Sequence, residues 1–113
     1  EIGPRTVLVT SVDLPEYAGE KLSMIAANGD EAWMITTPRL PLKCNGSGDV
    51  TAALFTAHLL STGDAALSLA RTASSMFDLL QTTLDSGRRE LQIVQSQEAY
   101  AHPRMQFEVT QVR

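Results

Sequence analysis

The chain carries three different rhythms of apolar and polar positions. Thr6-Val7-Leu8-Val9-Thr10-Ser11-Val12 is short, continuous and β-branched, and it predicts a strand buried on both faces, as in a mostly parallel sheet. Asp13-Leu14-Pro15 ends it, because proline cannot continue a ladder. Leu22 to Ala26 predicts a second strand and Glu31 to Thr36 a third. Asn28-Gly29-Asp30 between them is a turn signal, so the pair reads as a β-hairpin. Thr37 to Lys43 holds two prolines and reads as an irregular connector.

The rhythm then turns helical. Asp49 to Leu60 is apolar on most sides, which predicts a largely buried helix. Gly63 is a stop and Asp64 an N-cap for a second helix reaching about Leu84. Its core stripe is Ala66, Leu69, Ala70, Ala73, Phe77, Leu80 and Leu84. After Asp85-Ser86-Gly87 the pattern gives a strand at Leu91–Val94, a helical turn near Gln97 to Ala101 and a last strand at Phe107–Val112. Strands and helices interleave, so the class is α/β.

Composition narrows the role. With 113 residues and 43% apolar content the chain builds one modest domain with a core. A net charge of −4 and few, scattered aromatics argue against nucleic-acid binding. No run spans a bilayer and no signal peptide is visible. The lone Cys44 rules out an intrachain disulfide and fits a reducing compartment, so the expected location is cytoplasmic. The chain begins at Glu1, close to an apolar strand, which suggests a piece of a longer protein.

The densest chemistry is Asn45-Gly46-Ser47-Gly48-Asp49, followed at once by the apolar helix. Two glycines free the backbone, and bare amides at a helix N-terminus stabilise an anion. The lysine and spacing of a Walker P-loop are missing, and Thr51 stands where a dinucleotide fingerprint has its third glycine. An acid beside an anion site suits phosphoryl transfer to an alcohol: amides hold the negative charge and Asp49 receives the hydroxyl proton. A plain helix cap with flexible glycines is the competing structural reading. Thr10 and Ser11 lie at the carboxyl end of the first strand, where open parallel sheets bind ligands.

The loop and its helix resemble the phosphoryl-transfer signature of ribokinase-like small-molecule kinases. Val7-Leu8-Val9-Thr10-Ser11 with Asp13-Leu14-Pro15, Asp30-Glu31-Ala32-Trp33 and Glu90-Leu91-Gln92-Ile93-Val94-Gln95-Ser96 narrow the resemblance to the pyridoxal kinases, in that family's order. The resemblance implies a three-layer α/β/α fold with a mostly parallel central sheet. It implies transfer of the γ-phosphoryl of ATP to the 5′-hydroxyl of pyridoxal, with Mg²⁺ and often a monovalent cation such as K⁺. Asp49 falls on the family's catalytic acid, which also contacts the vitamin. Gly46, Ser47 and Gly48 fall on the backbone hole around the transferred phosphoryl. Thr10, with Ser11 beside it, matches ATP-phosphate contacts, and Thr37, Pro38, Arg39 and Leu40 border the nucleotide. Family members are far longer. The resemblance therefore makes residues 1–113 the C-terminal ATP-binding and catalytic portion of one domain, incomplete without its N-terminal segment, and usually a homodimer. The alternatives are a kinase for another hydroxymethyl heterocycle such as hydroxymethylpyrimidine, and a non-catalytic nucleotide-binding or assembly module.

Other residues read as structural. Cys44 is a small buried hydrophobe, His58 a core or helix-face histidine and His102 a surface turn. Trp33 is packing, the four methionines are core fillers, and Arg88-Arg89 is a solvated spot. No His, Cys or acid pair has structural-zinc spacing, so no metal ligand is assigned.

Overall fold

The computed structural model describes residues 5–12, 14–17, 19–42, 46–88, 90–93, 96 and 103–113. Their order is β1 (Thr6–Val12), a 3-10 turn at Pro15–Tyr17, β2 (Lys21–Asn28), β3 (Glu31–Pro38), α1 (Ser47–Thr62), α2 (Ala65–Ser86) and β4 (Thr110–Gln111). The hairpin is as expected: Asn28 pairs with Glu31 across Gly29-Asp30, and Gly29 takes φ 62 in the turn.

The sheet corrects the expectation of parallel strands. Its order is β1-β2-β3-β4 and every pairing is antiparallel. The connections explain the first two pairings. A parallel return needs a crossover of about a dozen residues or more, whereas a short loop joins β1 to β2 and two residues join β2 to β3.

Leu8, Met24, Ala26, Trp33 and Ile35 point from the sheet toward the helices. There they meet Phe55 and Leu59 of α1 and Leu69, Ala70 and Ala73 of α2 in the core. Trp33 is therefore packing, as expected. The opposite face carries Val7 and Val9 opposite Ala27 and Ile25. Val7 and Val9 are 44% and 48% exposed, so β1 is not buried on both faces. It stands at the end of the sheet with one edge unpaired among the described residues, and a continuous apolar run is sealed only when both faces and edges have neighbours.

The helices also divide differently from the pattern. α2 runs from its Asp64 cap to Gly87 and is buried around much of its girth, including the hydroxyl residues Ser68, Thr72, Ser74 and Ser75. Small side chains let α1 and the sheet approach it from two sides, and several hydroxyls bond locally, such as Ser68 Oγ to the Asp64 carbonyl at 2.7 Å. On α1 only Thr51, Phe55 and His58 are buried, and Leu60 is 83% exposed. The expectation of a largely buried first helix fails because α1 has neighbours on one side alone.

The tail departs most. Leu91, Gln92 and Ile93 form no strand; the Gln92 amide donates instead to Thr83 Oγ1 at 3.1 Å. From Phe107 to Val112 the ladder holds only Thr110 and Gln111, and the Val112 amide adds a bond to the Ala32 carbonyl of β3 at 2.8 Å. Upstream the tail follows α2: the Gln106 amide bonds Ser74 Oγ, and Phe107 meets Phe77 edge-on at 5.2 Å. Met105 is exposed rather than a core filler. The expected turn at Gln97 to Ala101, and Cys44, Arg89, Val94 and His102, lie outside the described residues.

Candidate functional site at the start of the first helix

Gly46 precedes α1 in the left-handed conformation, φ 88 and ψ −2, and no side chain caps the helix. The Gly46 carbonyl already accepts from the Val50 amide at 3.1 Å. The amides of the first turn (Ser47, Gly48 and Asp49) have no carbonyl within the helix to bond and keep their partial positive charge for a ligand. Thr51 Oγ1 donates to the Ser47 carbonyl at 2.8 Å, which stiffens that turn. A Cβ built on Gly46 or Gly48 meets nothing within 4 Å, so the helix start faces open space.

That space is a cleft of about 930 Å³, within the range of small-molecule sites. Ser47 and Gly48 form one part of its wall. Thr10 and Ser11 come from β1, and Thr37, Pro38, Arg39 and Leu40 from the end of β3 and the connector. The fold thus brings together eight of the ten residues singled out in the sequence. Gly46 and Asp49 are not in the wall. Asp49 lies in the first turn of α1, exposed to solvent beside the cleft, and among the described residues its carboxylate makes no hydrogen bond or ion pair. It is not turned into the interior.

Arg39 has a structural duty as well. Its Nε donates to the Gly19 carbonyl at 2.7 Å and its amide to the Glu20 carbonyl at 3.0 Å, which ties the connector to the β1–β2 loop. Apart from Thr51, the rest of the wall is apolar and includes Leu22, Met24, Met76, Phe77 and Leu80. Sequence reasoning placed the last three only in packing. Their spacing on α2 was legible, but which of them lines a cleft depends on where the connector crosses. The wall combines an apolar slot, suited to a flat heterocycle, with hydroxyls and helix amides suited to an anion. Among the described residues no three His, Cys, Asp or Glu side chains cluster to hold a metal ion.

Among the described residues, the one perturbed titratable group lies apart from the cleft. His58, buried on α1, has its pKa pushed below 6.5, first by loss of hydration and then by the positive charge of Arg71. Its Nε2 has no hydrogen-bond partner.

This arrangement of two helices on an antiparallel sheet has counterparts among solved structures. The structure of the pyridoxal kinase from Leishmania donovani in complex with ADP superposes with a TM-score of 0.84, covering 96% of this chain and 40% of that one, at 20% identity. No family model matches the chain. By sequence, it is 60% identical to the pyridoxal kinase of Corynebacterium diphtheriae over 99% of its length, and 57% identical to that of Leifsonia xyli subsp. xyli over 98%. Along almost all its length, then, the chain is a relative of the bacterial pyridoxal kinases, as the resemblance implied, and it spans about two fifths of theirs.

Proposed function

We propose that this chain is the C-terminal, nucleotide-holding part of an ATP-dependent pyridoxal kinase, which forms pyridoxal 5′-phosphate in vitamin B6 salvage. The observation that carries the reading is the shared wall of the cleft: the uncapped start of α1 faces the same space as Thr10 and Ser11. The identity to bacterial pyridoxal kinases supports the substrate.

In this reading the adenine lies in the apolar slot bordered by Thr37, Pro38, Arg39 and Leu40. The phosphates reach Thr10 and Ser11, and the transferred phosphoryl sits before the amides of Gly46, Ser47 and Gly48. Asp49 faces the vitamin from outside the cleft wall. Its carboxylate orients the 5′-hydroxyl and takes the proton as the oxygen bonds to phosphorus. Positioning and charge stabilisation supply most of the rate in such transfers. A magnesium ion fits as a passenger on the phosphates of ATP, since Mg²⁺ keeps several waters and takes few protein ligands. When bound, it neutralises charge developing on those phosphates. A monovalent ion, a homodimer and a cytoplasmic setting belong to the same reading through the resemblance.

The partner of this chain is the N-terminal segment that the longer relatives carry. The unpaired edge of β1, the exposed Val7 and Val9, and the open side of α1 at Leu60 are surfaces for it. The test is a complete chain assayed with ATP against pyridoxal and hydroxymethylpyrimidine side by side. Faster turnover of pyridoxal supports the reading. Preference for the pyrimidine shifts the substrate, and nucleotide binding without transfer to either alcohol replaces the enzyme with a binding module. The isolated chain is expected to be inactive and to regain turnover only with the N-terminal segment.

A further inference from the structure

We propose that Ser11 is a positioning residue whose left-handed backbone turns two successive hydroxyls, its own and that of Thr10, onto the cleft side of β1. The proposal rests on the kinase reading and specifies how its phosphate site is built.

Val9 stands opposite Ile25, and Val12 opposite Ser23. Three steps on β1 therefore match two on β2, and the extra residue makes a β-bulge in which Thr10 and Ser11 together face the single position Met24. Side chains alternate along a regular strand. Without the bulge, Thr10 would share the helix side with Met24 and Ser11 would pass to the other face. With it, both line the cleft that Ser47 and Gly48 close from the helix side. Val12 then resumes pairing with Ser23, so the rest of the strand keeps its facing.

The backbone shows where the adjustment is made. Ser11 has φ 56, the one positive φ outside glycine among the described residues. An L-residue with a Cβ takes that conformation at a cost, and glycine would take it freely. A serine held there at a cleft keeps a hydroxyl at the position, which is the kind of outlier that functional sites retain. The bulge also explains why the run Thr6 to Val12 reads as one unbroken strand while presenting its polar pair on a single side.

The test compares Ser11→Gly, Ser11→Ala and Ser11→Val in the complete kinase, reading the KM for ATP and for pyridoxal, kcat, ADP affinity by calorimetry, and Tm. Ser11→Gly keeps the bulge and loses one hydroxyl, so the KM for ATP should rise about 2- to 10-fold with the KM for pyridoxal unchanged. Ser11→Val, whose branched side chain resists the left-handed region, should also lose the aim of Thr10 and weaken ADP binding about tenfold beyond Ser11→Gly. If the valine variant does not fold, the decision passes to Ser11→Ala against Ser11→Gly. Both lack the hydroxyl and differ in tolerance of positive φ, and the alanine variant should bind ADP more weakly. Equal ADP affinity in the glycine and alanine variants, with only Tm lower for alanine, overturns the proposal. A wild-type chain that binds ADP yet leaves pyridoxal untouched overturns the kinase reading instead, and the ADP series still decides the role of Ser11.

Discussion

The two helices begin in opposite ways. At α2 the cap is Asp64, extended at φ −123 and ψ 110, and its Oδ1 accepts the Leu67 amide at 3.0 Å. Ser68 Oγ donates to the Asp64 carbonyl, and the hydroxyls of Thr62 and Ser68 lie 3.1 Å apart. That helix start is satisfied by its own neighbours. At α1 the cap is Gly46, with no side chain to offer, and the nearby acid sits inside the helix at Asp49, away from any partner among the described residues. The first start stabilises the fold; the second leaves its amides, its dipole and one carboxylate available to something else. The same residue type is thus bonded as the cap of α2 and left unpartnered, among the described residues, in the first turn of α1.

The strongest way to break this comparison is Asp49→Asn in a complete kinase. If the carboxylate takes the proton, kcat should fall about 10²- to 10⁴-fold, or roughly 2.7–5.4 kcal/mol at 1.36 per decade, with Tm little changed. A turnover close to wild type removes Asp49 from the chemistry. Next in size is Gly48→Val. Among the described residues nothing meets a Cβ there, so the fold accommodates it, but the side chain enters the space before the amides. Loss of that approach should lower kcat about 10²-fold, the scale of one backbone donor lost from a charge-stabilising hole. A kinetic assay with a parallel melting curve separates this from misfolding.

The other half of the comparison is tested by Asp64→Ala. It removes the side-chain acceptor for the Leu67 amide and should cost about 1 kcal/mol of stability, measured by denaturant titration. The KM for ATP should stay unchanged, because Asp64 lies away from the cleft wall. A change in nucleotide affinity would show that both helix starts serve the site and would dissolve the contrast.

These differences were unequally legible in the sequence. Asp64 and Gly63 announce the α2 start because capping is local chemistry, readable from adjacent residues. The Gly46–Asp49 loop announced the glycine-capped start of α1 for the same reason, and the hairpin followed from Asn28-Gly29-Asp30 and its flanking strands. What the pattern could not give was decided at a distance. The antiparallel sheet depends on which strand each loop lets return. The exposure of Val7, Val9 and Leu60 depends on neighbours, not on their own hydrophobicity. Of the two tail segments that look like strands, the first is lost because the Gln92 amide finds Thr83 Oγ1 on α2, and the second pairs with β3 only at its end. The bulge at Thr10 and Ser11 was hidden because an inserted residue leaves no mark in a run that is already irregular in its alternation. For Phe77 and Leu80 helical spacing gave the helix correctly, and Met76 read as a core filler, but the slot the three line exists only once the connector from Thr37 crosses in front of them.

The smallest expected effect concerns the seam between the two helices. His58 is buried on α1 with Nε2 unbonded, and lost hydration, with Arg71 second, holds its pKa below 6.5. The neutral ring is thus the form the fold accepts. Above pH 6.5 the histidine is neutral both folded and unfolded, and its contribution is complete. As pH falls from there through the lower folded value, the unfolded chain binds the proton first, so stability must fall with it. Tm should therefore drop between pH 7 and 5.5, and His58→Gln should flatten that part of the profile, whatever its Tm at neutral pH. ADP affinity measured over the same range should move only as the melting curve moves, since His58 is not in the cleft wall. A loss of affinity at a pH where the chain is still fully folded would mean that the proton on α1 reaches the amides at its start. The first helix would then be a single responsive unit, and the second its rigid counterpart.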